Sequence, residues 1–278
     1  MPAPHAPTSA PPRLFDRALH RLRLDRAAAG FAHADFLHRR AAEDVAERLA
    51  PIMRSFSVAV DLSARRGAFA EALAREAPGK VGTLIEADLS PRMLADRPGP
   101  RVVADEERLP FAPGSLDLIV SVLGLHWTND VVGALIQARR ALRPDGLFVG
   151  AFLGGVTLTE LRQSLVAAES EILGGAGSRV SPFADVRDAA GLLQRAGFVQ
   201  PVADVDTVTV TYDHPLKLLL DLRRMGRTGV LADRHPWKLT RALLERTFQL
   251  YAERFATPDG RMPATFEIVT LTGWAPVA

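Results

Sequence analysis

Short apolar segments alternate with helical patterns through the first half of the chain. Residues 57–62, 83–88 and 116–122 are apolar and partly β-branched, which is typical of buried parallel strands. Residues 101–104 and 146–152 predict two further strands. The stretches between these strands carry apolar residues at helical spacing. Such an alternation predicts βαβ units and a parallel sheet with helices on both faces.

The chain on either side of this alternating region follows other patterns. Apolar residues recur at helical spacing over 15–22 and 34–49, before the first strand. In the second half, 203–212 and 265–274 are β-rich, and a long, mostly helical stretch separates them. This separation excludes a tight hairpin, so we expect the two strands to pair antiparallel at the sheet edge. The helices between them would form an insertion over the site.

These patterns predict the domain boundaries. We expect a disordered proline-rich tail at 1–12, an N-terminal helical cap at 13–50, an α/β core at 51–212, a helical insertion or lid at 213–263, and the final strand of the core sheet at 264–278. No basic segment followed by an apolar one is seen near the first residue, so no targeting sequence is predicted.

Composition excludes several classes of function. The charges nearly cancel, with 34 Lys and Arg against 32 Asp and Glu, so we expect no nucleic-acid partner. The absence of cysteine excludes disulfides, thiolate metal sites and cysteine nucleophiles. The seven histidines show no metal-binding spacing, and no metal is predicted. No apolar run is long enough to cross a bilayer, so we expect a cytoplasmic protein with no membrane span.

Three acidic residues stand at or just beyond the ends of the first three predicted strands: Asp61, Asp88 and Asp105. Ligands of open α/β sheets bind at the carboxyl ends of the strands. A ligand with a ribose, an adenine and a sulfonium would use all three acids. Asp88 would accept both ribose hydroxyls, Asp105 would bind the adenine amine, and Asp61 would order the first loop. The alternative is that these acids only mark strand ends and helix starts.

Several segments resemble a known family. The successive motifs of class I S-adenosylmethionine-dependent methyltransferases are similar to V-A-V-D-L-S-A-R-R-G-A, E-A-D-L-S-P-R-M-L and S-L-D-L-I-V-S-V-L-G-L-H-W-T-N-D. Through G-G-V-T-L-T-E-L-R-Q-S-L and D-G-R-M-P-A-T-F, the chain further resembles the group named for the mitochondrial complex I assembly factor 5, a methyltransferase-fold arginine hydroxylase, with its bacterial relatives. Near neighbours are malonyl-carrier-protein methyltransferases. The resemblance implies a doubly wound, mostly parallel, seven-stranded Rossmann-like sheet with N-terminal helices and a C-terminal helical insertion.

The resemblance also implies a cofactor, S-adenosyl-L-methionine, and the residues that bind it. Asp88 matches the ribose-binding acid and Asp105 the acid that contacts adenine, while Glu106 neighbours the ring. The end of the fourth strand lies beneath the methionine part. The complete implied set is Asp61, Ser63, Ala64, Arg65, Gly67, Asp88, Leu89, Asp105, Glu106, Ser121, Val122 and Leu123.

One loop departs from the family's pattern. The family has D-x-G-x-G-x-G where this chain has D-L-S-A-R-R-G at 61–67, so only the last of the glycines remains. Glycines serve in such a loop because the backbone approaches the ligand closely and adopts positive φ. Arg65 places a long cation where the methionine part of the cofactor would lie. It can pair with the cofactor's carboxylate, fill the pocket, or repel the sulfonium.

Four residues beyond the fourth and fifth strands are candidates for catalysis or substrate binding. His126 is a candidate general base and Trp127 a candidate wall of the substrate site. Alternatively, the two form a packed aromatic pair. Glu160 and Arg162 either contact a substrate or belong to a solvated helix face.

Three functions remain open at this point. The first is a methyltransferase that acts on a small molecule or a protein side chain. The second is an arginine hydroxylase or assembly factor for respiratory complex I, and the third is a non-catalytic assembly scaffold with a degenerate cofactor loop. The partner would be a complex I subunit or another protein substrate. The row formed by Arg13, Arg17 and Arg21 is either a partner surface or a solvated helix face.

Overall fold

Seven strands form a single sheet in the order β3-β2-β1-β4-β5-β7-β6. The computed structural model describes residues 13–177, 179–180, 186–233 and 238–277, so the tail predicted at 1–12 lies outside the described residues. The strands are β1 (Phe56–Leu62), β2 (Val81–Asp88), β3 (Arg101–Val103), β4 (Leu116–Val122), β5 (Leu142–Leu153), β6 (Val199–Tyr212) and β7 (Met262–Trp274).

The strand directions confirm the predicted fold class. Strands β1 to β5 are mutually parallel where they pair, whereas β7 runs antiparallel to both of its neighbours, β5 and β6. The two C-terminal strands pair over most of their length, from Val202 opposite Thr272 to Tyr212 opposite Met262. The antiparallel pairing expected at the sheet edge is therefore present, although both strands begin a few residues earlier than the sequence pattern indicated.

Helices cover both faces of the sheet. They are α1 (Arg17–Ala27), α2 (Phe36–Leu49), α3 (Ala68–Glu76), α4 (Val131–Ala141), α5 (Thr159–Leu173), α6 (Val186–Arg195), α7 (Pro215–Arg224) and α8 (Arg241–Phe255), with short 3-10 turns at Ala28–His33 and Leu125–Trp127. Successive residues of β4 face opposite sides, as strand geometry requires. Leu118 packs in the cluster that contains Leu37 of α2, and Ile119 packs in the cluster that contains Leu135 of α4.

An N-terminal segment is fastened across the carboxyl edge of the sheet. Phe15 forms an antiparallel bridge with Leu231, and the Asp16 amide donates to the carbonyl of Val230 at 2.8 Å. The Asp16 carboxylate then caps α1 by accepting from the amide of Leu19 at 2.9 Å. These contacts bring the start of α1 next to the ends of the strands.

The segment between β6 and β7 carries α7 and α8. Helix α8 packs on α5 through Leu243, Leu250 and Ala168. The domain boundaries drawn from the sequence remain predictions. No helix in the described part of the chain is long and apolar enough to cross a membrane.

Candidate functional site at the carboxyl edge

The carboxylates expected at the strand ends do come together at one edge of the sheet. Asp61 and Asp88 lie on neighbouring parallel strands, β1 and β2, and Asp105 and Glu106 follow β3. Asp61, Asp88 and Glu106 are buried, and Asp105 is partly exposed. Such a row of buried acids is costly unless each one is neutralised or hydrogen-bonded.

The loop after β1 keeps a left-handed backbone at two positions where the family's glycines are replaced. Ser63 has a φ of 71° and Arg65 a φ of 52°, and both lie in the left-handed region that non-glycine residues rarely adopt. Gly67, the glycine that remains, has a φ of 86°, and a Cβ there would collide with the Arg97 guanidinium. Hydrogen bonds hold the strained part in place, because the Ala64 amide donates to the carbonyl of Ala87 at 2.9 Å.

Arg65 points inward and binds the acid that the family resemblance assigns to the ribose. Its guanidinium donates to Asp88 Oδ2 at 2.7 Å, and its backbone amide donates to the same oxygen at 2.9 Å. The other oxygen, Oδ1, accepts from the amide of Ser90 at 2.8 Å. Burial raises the pKa of Asp88, and the Arg65 charge opposes that rise. Both carboxylate oxygens are therefore already engaged within the chain.

Arg17, the first residue of α1, binds the next two acids. Its Nε and Nη2 donate to the two oxygens of Asp105 at 3.3 and 2.6 Å, and Nη2 also contacts Glu106. Its Nη1 donates to the carbonyl of Trp127 at 3.0 Å. Burial lowers the pKa of Arg17, but the two carboxylates outweigh it, so the pKa rises overall. For Arg17, both interpretations of the arginine row are wrong, because its side chain lies inside the site.

Ser63 closes the gap between this acidic row and the end of β4. Its hydroxyl donates to Glu106 Oε1 at 2.5 Å. A Cβ on Gly124 would collide with Ser63 Oγ, so the two chain segments are in close contact there. The serine that replaces the family's glycine thus fills space at this edge and adds a hydrogen bond.

Two buried polar groups in the same region lack partners. Within the described residues, neither oxygen of Asp61 nor the hydroxyl of Ser121 accepts or donates a hydrogen bond. Burial raises the pKa of Asp61 well above its ordinary range, and the nearby charges of Glu86 and Asp88 add to this. The protonated form of Asp61 is therefore favoured. The remaining implied cofactor positions are buried around the same edge: Ala64, Gly67, Leu89, Val122 and Leu123.

A cluster of imidazoles surrounds Arg227, which the sequence patterns did not single out. Arg227 Nη1 lies 2.6 Å from His126 Nε2, and Nη2 lies 3.4 Å from His38 Nε2 and 3.3 Å from the carbonyl of Leu123. Burial lowers the pKa of His126 and His38 well below its ordinary value, and the charge of Arg227 reinforces the effect. Neutral imidazoles accept hydrogen bonds from the guanidinium here. Arg227 follows α7 in a stretch without a recognised motif, so no sequence signal could have found it.

Trp127 borders an apolar chamber with a volume of about 300 Å³. Helices α5, α7 and α8 and strand β7 provide part of its wall, including Leu161, Leu219, Leu222, Phe248 and Phe266. Trp127 also packs edge-on against Phe15 and tilted against His126, at ring-centroid separations of 5.6 and 5.1 Å. The substrate-wall and aromatic-pair interpretations of Trp127 are thus compatible in this geometry.

Glu160 and Arg162 both have partners inside the fold. The Glu160 carboxylate accepts from the amide of Thr265 at 3.2 Å and contacts its hydroxyl. The Arg162 guanidinium donates to the carbonyls of Gly155 and Thr157 at 2.9 and 2.8 Å. These contacts tie the start of α5 to β7 and to the preceding turn. A substrate role for either residue stays a prediction.

The strand order, the antiparallel β7 and the acids at the carboxyl ends define a protein of the Rossmann-like methyltransferase fold. A methyltransferase domain model matches residues 60–150. The arginine-hydroxylase NDUFAF5 of Danio rerio is 37% identical over 95% of this chain and 83% of its own length. The malonyl-[acyl-carrier protein] O-methyltransferase of Laribacter hongkongensis is 34% identical over 95% of this chain and 91% of its own length. The chain belongs to the methyltransferase-fold family that contains these two relatives.

A solved structure agrees with this assignment of the fold. Phosphoethanolamine N-methyltransferase 2 of Haemonchus contortus, in complex with S-adenosyl-L-methionine, matches with a TM-score of 0.55 and 17% identity, over 92% of this chain and 60% of its own. At this identity the likeness shows the fold alone.

In the conformation observed, hydrogen bonds within the chain already engage the carboxylates that the resemblance assigns to S-adenosyl-L-methionine. The resemblance assigns the ribose to Asp88, whose two oxygens accept hydrogen bonds from Arg65 and Ser90. It assigns the adenine amine to Asp105, which pairs with Arg17. Binding of a ribose and an adenine through these two carboxylates would compete with the guanidinium groups of Arg65 and Arg17.

Proposed function

We propose that this protein acts in the assembly of respiratory complex I and recognises an arginine side chain of one of its subunits. The observation that carries the proposal is that the carboxylates at the strand ends already bind guanidinium groups, Arg65 on Asp88 and Arg17 on Asp105. The relative from Danio rerio is named for its action on arginine. The proposal concerns recognition of the arginine, and the oxidant needed for hydroxylation is a separate requirement.

The contacts of Arg17 indicate how a substrate arginine would bind. Asp105 accepts from two nitrogens of the same guanidinium, which is the forked geometry in which arginine and carboxylate recognise each other best. The carbonyl of Trp127 accepts from a third nitrogen. The residues before Arg17 are extended and pair with 230–232. An extended peptide with an arginine would make the same contacts once Arg17 has left the site.

A binding experiment tests this recognition. The full chain, its Arg17→Ala variant and the control variant Arg21→Ala are titrated with a peptide of sequence R-L-F-D-R-A by calorimetry. Arg21 lies on the same helix and is exposed. We expect Arg17→Ala to bind at least tenfold more tightly than the other two proteins, because the Arg17 side chain no longer competes for Asp105 and Glu106. The same peptide with alanine at the second arginine should not bind. Equal binding by all three proteins would contradict the proposal.

A cellular experiment tests the role in complex I. Deletion of the gene should remove a mass increase of one oxygen atom from an arginine of a complex I subunit and lower NADH oxidation by the membranes. Restoring the intact gene should recover both. We also propose a cytoplasmic location, which cell fractionation checks. Unchanged subunit masses together with normal complex I activity would refute the assembly role.

Methyl transfer is the second candidate, and the match of the methyltransferase domain model to residues 60–150 favours it. The acceptor would be a small molecule or a protein side chain. Titration of the chain with S-adenosylmethionine tests whether the guanidinium groups of Arg65 and Arg17 yield to the cofactor. If neither the intact chain nor its Arg65→Gly variant binds, a non-catalytic assembly scaffold becomes the better interpretation.

A further inference from the structure

Arg227 differs from the other inward-pointing arginines of the site in what surrounds it. Arg65 pairs with Asp88 and Arg17 with Asp105. Within the described residues, Arg227 makes no ion pair with any carboxylate, and its buried Nε has no hydrogen-bond partner. Burial and, to a smaller extent, the positive charge of Arg65 together lower its pKa to about 9. Within the part of the chain that the structure describes, Arg227 is thus a partly buried cation without a counter-charge.

The neighbours of Arg227 cannot supply that counter-charge. His126 and His38 accept hydrogen bonds from its guanidinium as neutral imidazoles, and the carbonyl of Leu123 adds only a dipole. A buried cation with uncompensated charge is unfavourable, and an anion that reaches it would gain a charge-assisted pair in a dry environment.

The space beside Arg227 is the apolar chamber. Arg227 lines it together with Trp127, and Leu161, Leu219 and Phe266 provide part of the opposite wall. The chamber's other cation, Arg179, already pairs with Glu169. No carboxylate lines the chamber among the described residues. Its volume of about 300 Å³ matches the lower end of small-ligand pockets.

We propose that this chamber binds a small aliphatic monocarboxylic acid, with the carboxylate on Arg227 and the hydrocarbon chain among the leucines. A ligand with a second charge would leave that charge unpaired against the apolar wall. The side chain of a substrate arginine would be repelled by the positive charge of Arg227 in this chamber. The site is therefore separate from the arginine-binding acids at the strand ends and goes beyond the function proposed above.

Octanoate is the probe for this site. The full chain is titrated with octanoate, with octanamide of equal chain length and with acetate. The same titrations are repeated on Arg227→Gln and on the control variant Arg223→Gln, whose side chain is exposed on α7. We expect the intact chain and Arg223→Gln to bind octanoate, and Arg227→Gln to bind it at least tenfold more weakly. Octanamide and acetate should bind much more weakly than octanoate to the intact chain and to Arg223→Gln.

A second variant keeps the test decisive if Arg227→Gln does not fold. Leu219→Trp fills the chamber from α7 without touching the charge, so it should abolish octanoate binding while leaving acetate unaffected. The proposal is overturned if the folded chain does not bind octanoate, if octanamide binds equally well, or if Leu219→Trp binds octanoate normally. Neither an arginine peptide nor S-adenosylmethionine takes part, so these outcomes are independent of the function proposed above.

Discussion

The acidic edge and the apolar chamber lie next to each other, yet they treat buried arginine in opposite ways. At the edge, Arg65 pairs with Asp88, and Arg17 pairs with Asp105 and Glu106, so these three carboxylates have partners without a ligand. In the chamber, Arg227 faces imidazoles and hydrocarbon. A ligand must displace existing ion pairs at the edge, whereas in the chamber an anionic ligand would form an ion pair with Arg227. We therefore expect removal of an ion-pair partner to lower stability at the edge, and an added anion to bind in the chamber.

The largest effect is expected from breaking the pair at the edge. Asp88→Ala leaves the Arg65 guanidinium and amide buried without their acceptor, which should lower the free energy of unfolding by about 3–5 kcal/mol. Urea unfolding of the purified variant measures this. Arg40→Ala is the control, since its ion pair with Asp206 is half-exposed and should contribute less than about 1 kcal/mol. A similar loss in both variants would mean that Arg65 reaches solvent when its partner is gone.

The imidazole cluster beside the chamber should make stability depend on pH. His20, whose ring packs against Trp127 at a centroid separation of 5.1 Å, belongs to the same region as His38 and His126. Burial lowers the pKa of all three in the folded chain, so only the unfolded chain takes up these protons readily. Their contribution to the free energy of unfolding is fully present above the ordinary histidine pKa of about 6.5 and is lost as the pH falls below it. Each histidine contributes up to about 1.4 kcal/mol per pH unit.

Unfolding by urea between about pH 7.5 and 5.5 checks this dependence. His38→Gln should reduce the slope of the free energy of unfolding against pH by the contribution of one histidine. His33→Gln should leave it unchanged, because His33 is exposed. A stability that does not fall toward acidic pH would show that the imidazoles are protonated in the folded chain.

The smallest effect is expected for the binding of S-adenosylmethionine at the acidic edge. Arg65→Gly removes the guanidinium from Asp88 Oδ2, which keeps only the backbone amide, and places glycine at a φ of 52°. The affinity for S-adenosylmethionine should therefore rise about tenfold, or about 1.4 kcal/mol. Calorimetry measures the change. Arg66→Gly serves as the matched control, because the Arg66 guanidinium binds the carbonyl of Ala95 outside the acidic row. Weaker binding by Arg65→Gly would instead make Arg65 a clamp for the cofactor's carboxylate.

The fold could be predicted from the sequence because its signals are local. Apolar runs at the period of a strand, alternating with helical spacing, specify a parallel sheet through backbone geometry alone. The same reasoning located Asp61, Asp88 and Asp105 at one edge, since parallel strands bring their carboxyl ends together. The missing glycines at Ser63 and Arg65 were likewise visible in the sequence.

The state of the site was decided only by the tertiary structure. The sequence left three directions open for the Arg65 side chain, and its pairing with Asp88 depends on how closely β1 and β2 approach. Arg17 and Arg227 reach the edge and the chamber from segments far apart in the chain, and no local pattern specifies where their side chains point. Charge pairing acts through distance in space and not along the sequence. The carboxylates at the acidic edge could therefore be predicted from the sequence, whereas their ion pairs with Arg65 and Arg17 could not.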